Sequence, residues 1–187
     1  MPHPLNRPPA RWTTRRLSLR PPRLTDAREI FAAYAQDPEV TRYLLFRPHR
    51  HVAETTDFVR RCRAGWRTGA AFTWALLERK SGRLAGMCMI RIEGHAVELA
   101  YALARPYWGR RLMVEAMKPL VAWALNRPGI QRVWATCHVR NTGSARVMER
   151  LGMKREGVLR KWAVYPNLGE IAQDSCCYAR VKGSRGT

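Results

Sequence analysis

A single glycine stands between aromatic and basic residues in the stretch PYWGRRLMVEAM, residues 106–117. Arg110 and Arg111 follow Gly109 at the point where a helical pattern begins. The N-terminus of a helix offers unpaired N–H groups and the positive end of its dipole to a phosphate, while glycine lets the backbone approach a ligand closely. The stretch therefore predicts an anion-binding loop in which the guanidiniums add charge-assisted hydrogen bonds. The alternative is a plain helix start with exposed basic residues.

Glu98 is a second candidate, because it is an acid within an apolar, strand-like run at residues 97–103. Strand alternation puts Glu98 and Ala100 on one face and Tyr101 on the other. Burying a carboxylate in such a setting costs free energy unless it is paired with a cation or takes part in catalysis. Burial also raises its pKa toward the range of a general base. The alternative is that Glu98 only forms an ion pair with one of the many arginines.

The segment RNTGSARVMERLGMKREGVLRK, residues 140–161, predicts a helix that directly follows a strand. Asn141 is typical of an N-cap, Ser144 lies three residues later, and Gly152 is typical of the position that ends a helix. Asn141 and Ser144 are therefore expected at a helix N-terminus beside the end of a strand. Asn141 is a cap, a ligand-binding residue, or both.

Three segments together resemble the GNAT superfamily of acetyltransferases, and within it the RimJ/RimL-type protein and small-amine N-acetyltransferases. The segments are ELAYALARPYWGRRLMVEA at 98–116, RNTGSARVMERLGMKREGVLR at 140–160 and DSCCY at 174–178. The resemblance implies acetyl-CoA as the donor, and direct transfer of its acetyl group to a primary amine in a ternary complex. The acceptor is either a protein N-terminus or a small-molecule amine.

The resemblance also implies roles for individual residues. Ala102 and Leu103 are expected to pair through their backbone with the pantetheine arm, and Arg146 or Arg150 to reach the nucleotide or its 3′-phosphate. Glu98 is the expected catalytic base, and catalytic Ser144, a bound water or solvent protonates the leaving thiolate. The residues implied to contact acetyl-CoA are Ala102, Leu103, Trp108, Gly109, Arg110, Arg111, Leu112, Met113, Asn141, Ser144, Arg146 and Arg150.

Three positions depart from the family pattern. Arg111 stands where the family has a second glycine, and Met113 stands where it has a small residue. Met148 occupies a position that often holds a tyrosine, and a thioether has no proton to donate. The main-chain N–H groups are expected to cradle the pyrophosphate, with a tighter entry, if Arg111 adopts a helical geometry, and the acid for the thiolate is left open.

The order of secondary-structure patterns predicts an α+β fold with the three layers of GNAT proteins. We expect a mixed, mostly antiparallel central sheet of about seven strands, flanked by about four to five helices. Strand patterns occupy residues 17–20, 72–78, 84–92, 97–103, 130–139 and two runs around the turn at 166–169. The first of these is expected at the sheet edge, and Pro119 is expected to bend the long helix that follows Gly109.

The 187 residues predict one N-acetyltransferase domain at 16–183, a basic Pro/Arg-rich tail at 1–15 and a short C-terminal tail at 184–187. Lys and Arg number 34 against 14 acids, a formal net charge of +20, which favours an anionic partner over a polycationic acceptor. A second function class therefore stays open. It is a catalytically weakened module of the same fold that binds RNA or the ribosome through its basic surface.

Cysteine and histidine usage indicates no metal site. The five cysteines and five histidines lack metal-ligand spacing, so we expect reduced, packed cysteines and no metal. The longest apolar run is too short to cross a bilayer, and the N-terminus has no apolar signal segment, so a cytoplasmic location is expected. The sequence leaves a monomer and a homodimer as alternatives.

Overall fold

The computed structural model describes residues 7–183, which form one eight-stranded sheet and five α-helices. The strands are β1 (Trp12–Thr13), β2 (Leu17–Arg20), β3 (Phe72–Glu78), β4 (Leu84–Glu93), β5 (Ala96–Leu103), β6 (Arg132–His138), β7 (Lys154–Val164) and β8 (Ala172–Val181). The helices are α1 (Ala27–Ile30), α2 (Pro38–Thr41), α3 (Val52–Thr68), α4 (Leu112–Leu125) and α5 (Thr142–Arg150). A π-helical turn, Phe31–Ala35, continues α1.

The sheet order is β1-β2-β3-β4-β5-β6-β8-β7, and every neighbouring pair is antiparallel except β5 and β6. The mixed, mostly antiparallel sheet and the meander of β3, β4 and β5 confirm the predicted fold class. The eighth strand is β1, which pairs with β2 and so makes β2 an internal strand. The prediction of an edge strand at residues 17–20 is therefore wrong. It failed because β1 is only two residues long and has no periodicity to detect.

The two faces of the sheet are covered by different helices. Thr73 points toward α1–α3, because its side chain lies close enough to the Cys62 thiol of α3 to lower the pKa of that thiol. The register pairs Thr73 with Met89 and Met89 with Ala100, so Ala100 and, by alternation, Glu98 share that face. Tyr101 points to the opposite face, which α4 and α5 cover.

The parallel pair β5–β6 is short and opens toward one end. Only Ala96, Val97 and Glu98 of β5 pair with β6, although β5 continues to Leu103. The two strands therefore diverge after Glu98, and a gap separates them at the end of β5 that leads into α4. Main-chain groups of β5 that would pair with β6 in a complete ladder have no partner in that strand.

The segment before β2 packs on the domain. Thr14 Oγ1 donates to Glu115 Oε1 (2.7 Å), and Arg16 donates to both carboxylate oxygens through its main-chain N–H and Nε (2.7 Å each). Burial raises the pKa of Glu115, but the hydrogen bonds from Thr14 and Arg16 outweigh it and hold the pKa below its ordinary value. Glu115 thus joins α4 to the N-terminal segment.

The division into a tail, a domain and a C-terminal tail stays a prediction, and residues 1–6 and 184–187 lie outside the described residues.

The long helix α4 is continuous across Pro119. No helix in the described part of the chain is long and apolar enough to span a membrane. All five cysteines, at positions 62, 88, 137, 176 and 177, are unpaired thiols.

Candidate active site

The loop between β5 and α4 is built on two left-handed residues. A short 3-10 turn, Arg105–Tyr107, follows β5, and Gly109 then adopts φ 73°. Arg111 is the N-cap of α4 and adopts φ 58°, ψ 20°, a conformation that glycine tolerates much better than arginine. The expectation of a helical geometry at Arg111 is therefore wrong, because the residue before the first turn of α4 is left-handed, a conformation that favours the glycine implied by the resemblance.

Main-chain donors are available where α4 begins. The first bond of the helical ladder runs from the Glu115 N–H to the Arg111 carbonyl (3.1 Å), so the N–H groups of residues 112–114 precede the ladder. The side chains of Leu112 and Met113 are buried in the core, which leaves their N–H groups as their contribution to a site. A Cβ on Gly109 would meet no atom within 4 Å, so the loop faces open space there.

The two arginines of the loop have different environments. Arg110 Nη2 donates to Glu78 Oε1 (2.7 Å), and its guanidinium lies 5.3 Å from the centre of the Tyr107 ring. Arg111 is exposed and forms no ion pair with any residue from 7 to 183. Of the two guanidiniums expected to contact an anion, only that of Arg111 is without a carboxylate partner.

Trp108 occupies the end of β5. Its indole N–H donates to the Leu103 carbonyl (2.6 Å), and the residue is 46% exposed. That carbonyl belongs to the strand end, Ala102 and Leu103, which the sequence assigns to pantetheine. In this conformation the indole N–H therefore binds the Leu103 carbonyl, one of the main-chain hydrogen-bond acceptors at the open end of the gap.

A hydroxyl pair lies where α5 begins beside the gap. The side-chain oxygen of Asn141 accepts from the Ser144 N–H (3.1 Å), so Asn141 is the N-cap. The Tyr101 hydroxyl lies 3.0 Å from Ser144 Oγ and 3.2 Å from the Ser144 carbonyl oxygen, and the Cys137 thiol donates to the Asn141 carbonyl (3.9 Å). Burial raises the pKa of Tyr101, which keeps the phenol protonated. Met148, one turn further along α5, is fully buried.

Sequence reasoning did not single out Tyr101 as a candidate residue. Alternation correctly put it opposite Glu98, but its partner Ser144 lies 43 residues away in the sequence. Nothing local indicates that contact. The absence of a donor at Met148 was the one sequence feature that could have prompted a search for another hydroxyl.

Glu98 lies at the closed end of the gap, on the face of α1–α3. Its Oε2 is 3.2 Å from Arg91 Nη1 across the β4–β5 pair, yet this buried oxygen has no hydrogen bond of acceptable geometry. Burial raises the pKa of Glu98, Arg91 lowers it, and Glu93 raises it, with a net increase. The side chain is 23% exposed, so it combines partial burial with access to a ligand.

A polar cluster around the buried His138 lies on the same face. The pairing of Glu98 with Trp134 places His138 on that face by alternation. Nδ1 of His138 accepts from the Arg140 N–H (3.1 Å), so Nε2 carries the proton and donates to the Gln173 side chain (2.8 Å). The Tyr43 ring stacks on His138 at 5.0 Å. These groups form one wall beside the end of β6, which no pattern in the sequence indicated.

Arg146 and Arg150 are both exposed, one helical turn apart on α5, and neither forms an ion pair with a described residue. Positively charged side chains thus remain available on the helix that borders the gap. Among the described residues, no three His, Cys, Asp or Glu side chains are grouped closely enough to hold a metal ion.

Known proteins share this arrangement of elements. Residues 16–154 match the model of a family described as acetyltransferase (GNAT) domain. The uncharacterized N-acetyltransferase p20 of Bacillus licheniformis is 29% identical over 152 residues, which cover 80% of this chain and 85% of p20.

Two solved structures share the fold. The microcin C7 self-immunity acetyltransferase MccE, in complex with acetyl-CoA and AMP, has a TM-score of 0.81 at 19% identity, over 89% of this chain and 93% of MccE. RimL, a ribosomal L7/L12 α-N-protein acetyltransferase in complex with coenzyme A, has a TM-score of 0.79 at 20% identity, over 92% of this chain and 96% of RimL. The chain belongs to the GNAT family of acetyltransferases and is an acyltransferase enzyme.

Replacing Arg111 with glycine is expected to raise the free energy of unfolding by up to about 1 kcal/mol. A left-handed backbone costs a non-glycine residue roughly 1–2 kcal/mol, and the greater freedom of glycine in the unfolded chain offsets part of the gain. Chemical denaturation measures the change. The matched control is Arg110→Gly, at a residue without positive φ, which should lower stability by removing the Glu78 ion pair. An Arg111→Gly variant less stable than the wild type would contradict the strain argument.

Proposed function

We propose that the enzyme is an acetyl-CoA-dependent N-acetyltransferase that moves the acetyl group directly to a primary amine in a ternary complex. The observation that carries the proposal is the gap between β5 and β6. Glu98 faces one side of the sheet beside it, Tyr101 faces the other, and the N-terminus of α4 follows at the open end. Base, acid and anion donors thus surround one opening.

The residues present fit the charge and shape of coenzyme A. The pyrophosphate is negatively charged, and the N–H groups of residues 112–114 together with the unpaired Arg111 are suitable donors for it. Trp108, Gly109 and Arg110 shape the loop, with Arg110 acting through its pair with Glu78. The Asn141-capped start of α5 and the exposed Arg146 and Arg150 border the same opening. When bound, acetyl-CoA supplies an activated acetyl thioester.

Glu98 is the proposed general base. A raised pKa means that Glu98 releases its proton less readily than an ordinary glutamate, so its carboxylate is a stronger base for an acceptor ammonium. Oε2 is buried beside Arg91, and the side chain as a whole is 23% exposed, so the carboxylate accepts that proton through its accessible part, either directly or through one water. As the pH falls through this raised pKa, Glu98 becomes protonated and the base is lost.

The Tyr101–Ser144 pair is the proposed proton donor, and it extends the expectation for Ser144 alone. As the amine nitrogen forms its bond to the acetyl carbon and the carbon–sulfur bond breaks, the electron pair of that bond goes to sulfur. Tyr101 donates its phenolic proton to the thiolate and recovers a proton through Ser144 Oγ, 3.0 Å away. Glu98 holds the proton taken from the ammonium and releases it to solvent. The transfer is thereby balanced without a covalent enzyme intermediate.

The proposed acceptor class is a protein N-terminus. Two observations support it over a small polycationic amine. The formal charge of +20 repels a polycation, and RimL, which shares the fold, is by its name an α-N-acetyltransferase of a ribosomal protein. The wall formed by the buried His138 and the half-buried Tyr43 lies on the face of Glu98 and is a candidate surface for the acceptor chain.

The second candidate function is a weakened module of the same fold that binds RNA or the ribosome. Its sequence support is the net charge of +20, the Arg-rich N-terminal tail and the departures at Arg111, Met113 and Met148. The departures weigh less in the structure, because the start of α4 still has N–H groups outside the helical ladder and Tyr101 places a hydroxyl beside Ser144.

Glu98→Gln is expected to lower kcat/KM at pH 7 by about 100-fold, the usual contribution of a general base. The assay is thiol release from acetyl-CoA with a panel of peptides that carry α-amino groups. The variant's rate should recover at high pH, where the acceptor amine is already deprotonated. The matched control is Glu93→Gln, which changes an exposed carboxylate that also lies near Arg91. A Glu98→Gln variant within threefold of the wild type at pH 7 would exclude Glu98 as the base.

Tyr101→Phe is expected to slow turnover by about 10- to 100-fold without weakening the binding of acetyl-CoA. It should also raise the thiol pKa of bound coenzyme A, measured from thiolate absorbance against pH, because the thiolate loses a hydrogen-bond donor. Tyr165→Phe is the control, since its hydroxyl makes a similar buried bond to Ser175 (2.7 Å). An unchanged thiol pKa in Tyr101→Phe would show that Tyr101 does not contact the sulfur.

A further inference from the structure

A second group of basic side chains lies at the N-terminal edge of the sheet, away from the gap. Arg11, Arg20, Arg23 and Arg63 line an open groove of about 390 Å³ together with Trp66 and the Pro21–Pro22 pair and Ala10. We call it the arginine groove. It brings together the segment before β1, the end of β2 and the last turns of α3.

The groove is separate from the candidate active site. β2 begins with Leu17, opposite Glu78, and Glu78 holds Arg110 of the β5–α4 loop. The groove lies beyond the other end of β2, at Arg20 and the residues that follow it. None of the residues assigned to acetyl transfer lines it.

The positive charge of the groove is mostly uncompensated. Arg20 donates to both carboxylate oxygens of Asp26 (2.7 and 2.8 Å), and this pair fixes its guanidinium. Arg11, Arg23 and Arg63 are exposed and form no ion pair with any residue in the described range 7–183. No acidic residue lines the groove. Asp26, which Arg20 binds, also interacts with the charge of Arg23, so the positive charge of the groove is only partly compensated.

The apolar part of the groove is rigid. The Trp66 ring packs edge-on against Phe72 and Trp74 at 5.0 and 5.1 Å, and its indole N–H donates to the Thr73 carbonyl (2.6 Å). Arg7 also donates to the main-chain carbonyl of Trp66. Trp66 therefore offers its ring, rather than its N–H, to a ligand. Fixed aromatic and proline surfaces beside a row of cations suit bases and phosphates that alternate along a flexible strand.

We propose that the arginine groove binds the phosphate backbone of single-stranded RNA, as a site distinct from acetyl transfer. Three guanidiniums that form no ion pair among the described residues are suitable donors for phosphates, and the tryptophan and prolines provide a surface for bases. A duplex presents no unstacked bases and makes no use of that surface. The six residues before Arg7, MPHPLN, contain no acid, so they offer the three cations no charge complement.

The test is fluorescence anisotropy of a labelled oligouridine of about 10 nucleotides, titrated with the full chain at several salt concentrations. Three phosphate contacts predict a slope of roughly −2 for log affinity against log salt. The triple variant Arg11→Gln, Arg23→Gln, Arg63→Gln should bind at least about tenfold more weakly, with a slope close to zero. Its acetyl-CoA binding should be unchanged, which separates this proposal from the proposed activity.

The matched control carries the same loss of charge at exposed arginines outside the groove, Arg50→Gln, Arg83→Gln and Arg155→Gln. It should keep most of the affinity. Equal losses of RNA affinity in both triple variants would rule out the groove as the binding site and indicate attraction by net charge alone. A DNA oligomer that binds as tightly would overturn the RNA assignment, and competition by polyglutamate as effective as that by RNA would indicate an acidic protein partner.

Discussion

The short parallel pairing of β5 with β6 is the constraint on which the candidate site depends. Because the ladder stops at Glu98, the rest of β5 borders a gap instead of a strand. Alternation along β5 then separates the two chemical groups, with Glu98 on the face of α1–α3 and Tyr101 on the face of α4 and α5. An amine and a thioester that meet in this gap can reach a base and an acid from opposite sides.

The distribution of unpaired positive charge depends on which arginines the few acidic residues bind. Glu78, Glu115 and Asp26 each fix one arginine at a structural junction: the β5–α4 loop, the N-terminal segment and the start of the helical layer. With 14 acids against 34 basic residues, most arginines are left without such a partner. The excess is therefore available for anions, at Arg111 beside α4 and in the arginine groove at the far edge.

Local patterns account for the parts that the sequence predicted correctly. The three strands of the meander, the start of α4 after Gly109 and the Asn141 cap all rest on contacts within a few residues. Contacts between distant segments account for what the sequence missed. The pairing of β1, the binding of Arg110 by Glu78 and the bond between Tyr101 and Ser144 each join residues far apart in the chain. The left-handed Arg111 was missed because its residue type argues against that conformation.

Calorimetric titration with acetyl-CoA tests the central claim, that the gap and the start of α4 form the donor site. The wild type should bind with micromolar affinity, and Arg111→Glu, which places a negative charge beside the N–H groups of α4, should weaken binding at least about tenfold. Arg50→Glu, an equal charge change at an exposed loop, should bind as the wild type does. Absence of binding at millimolar acetyl-CoA, or equal losses in both variants, would contradict the account.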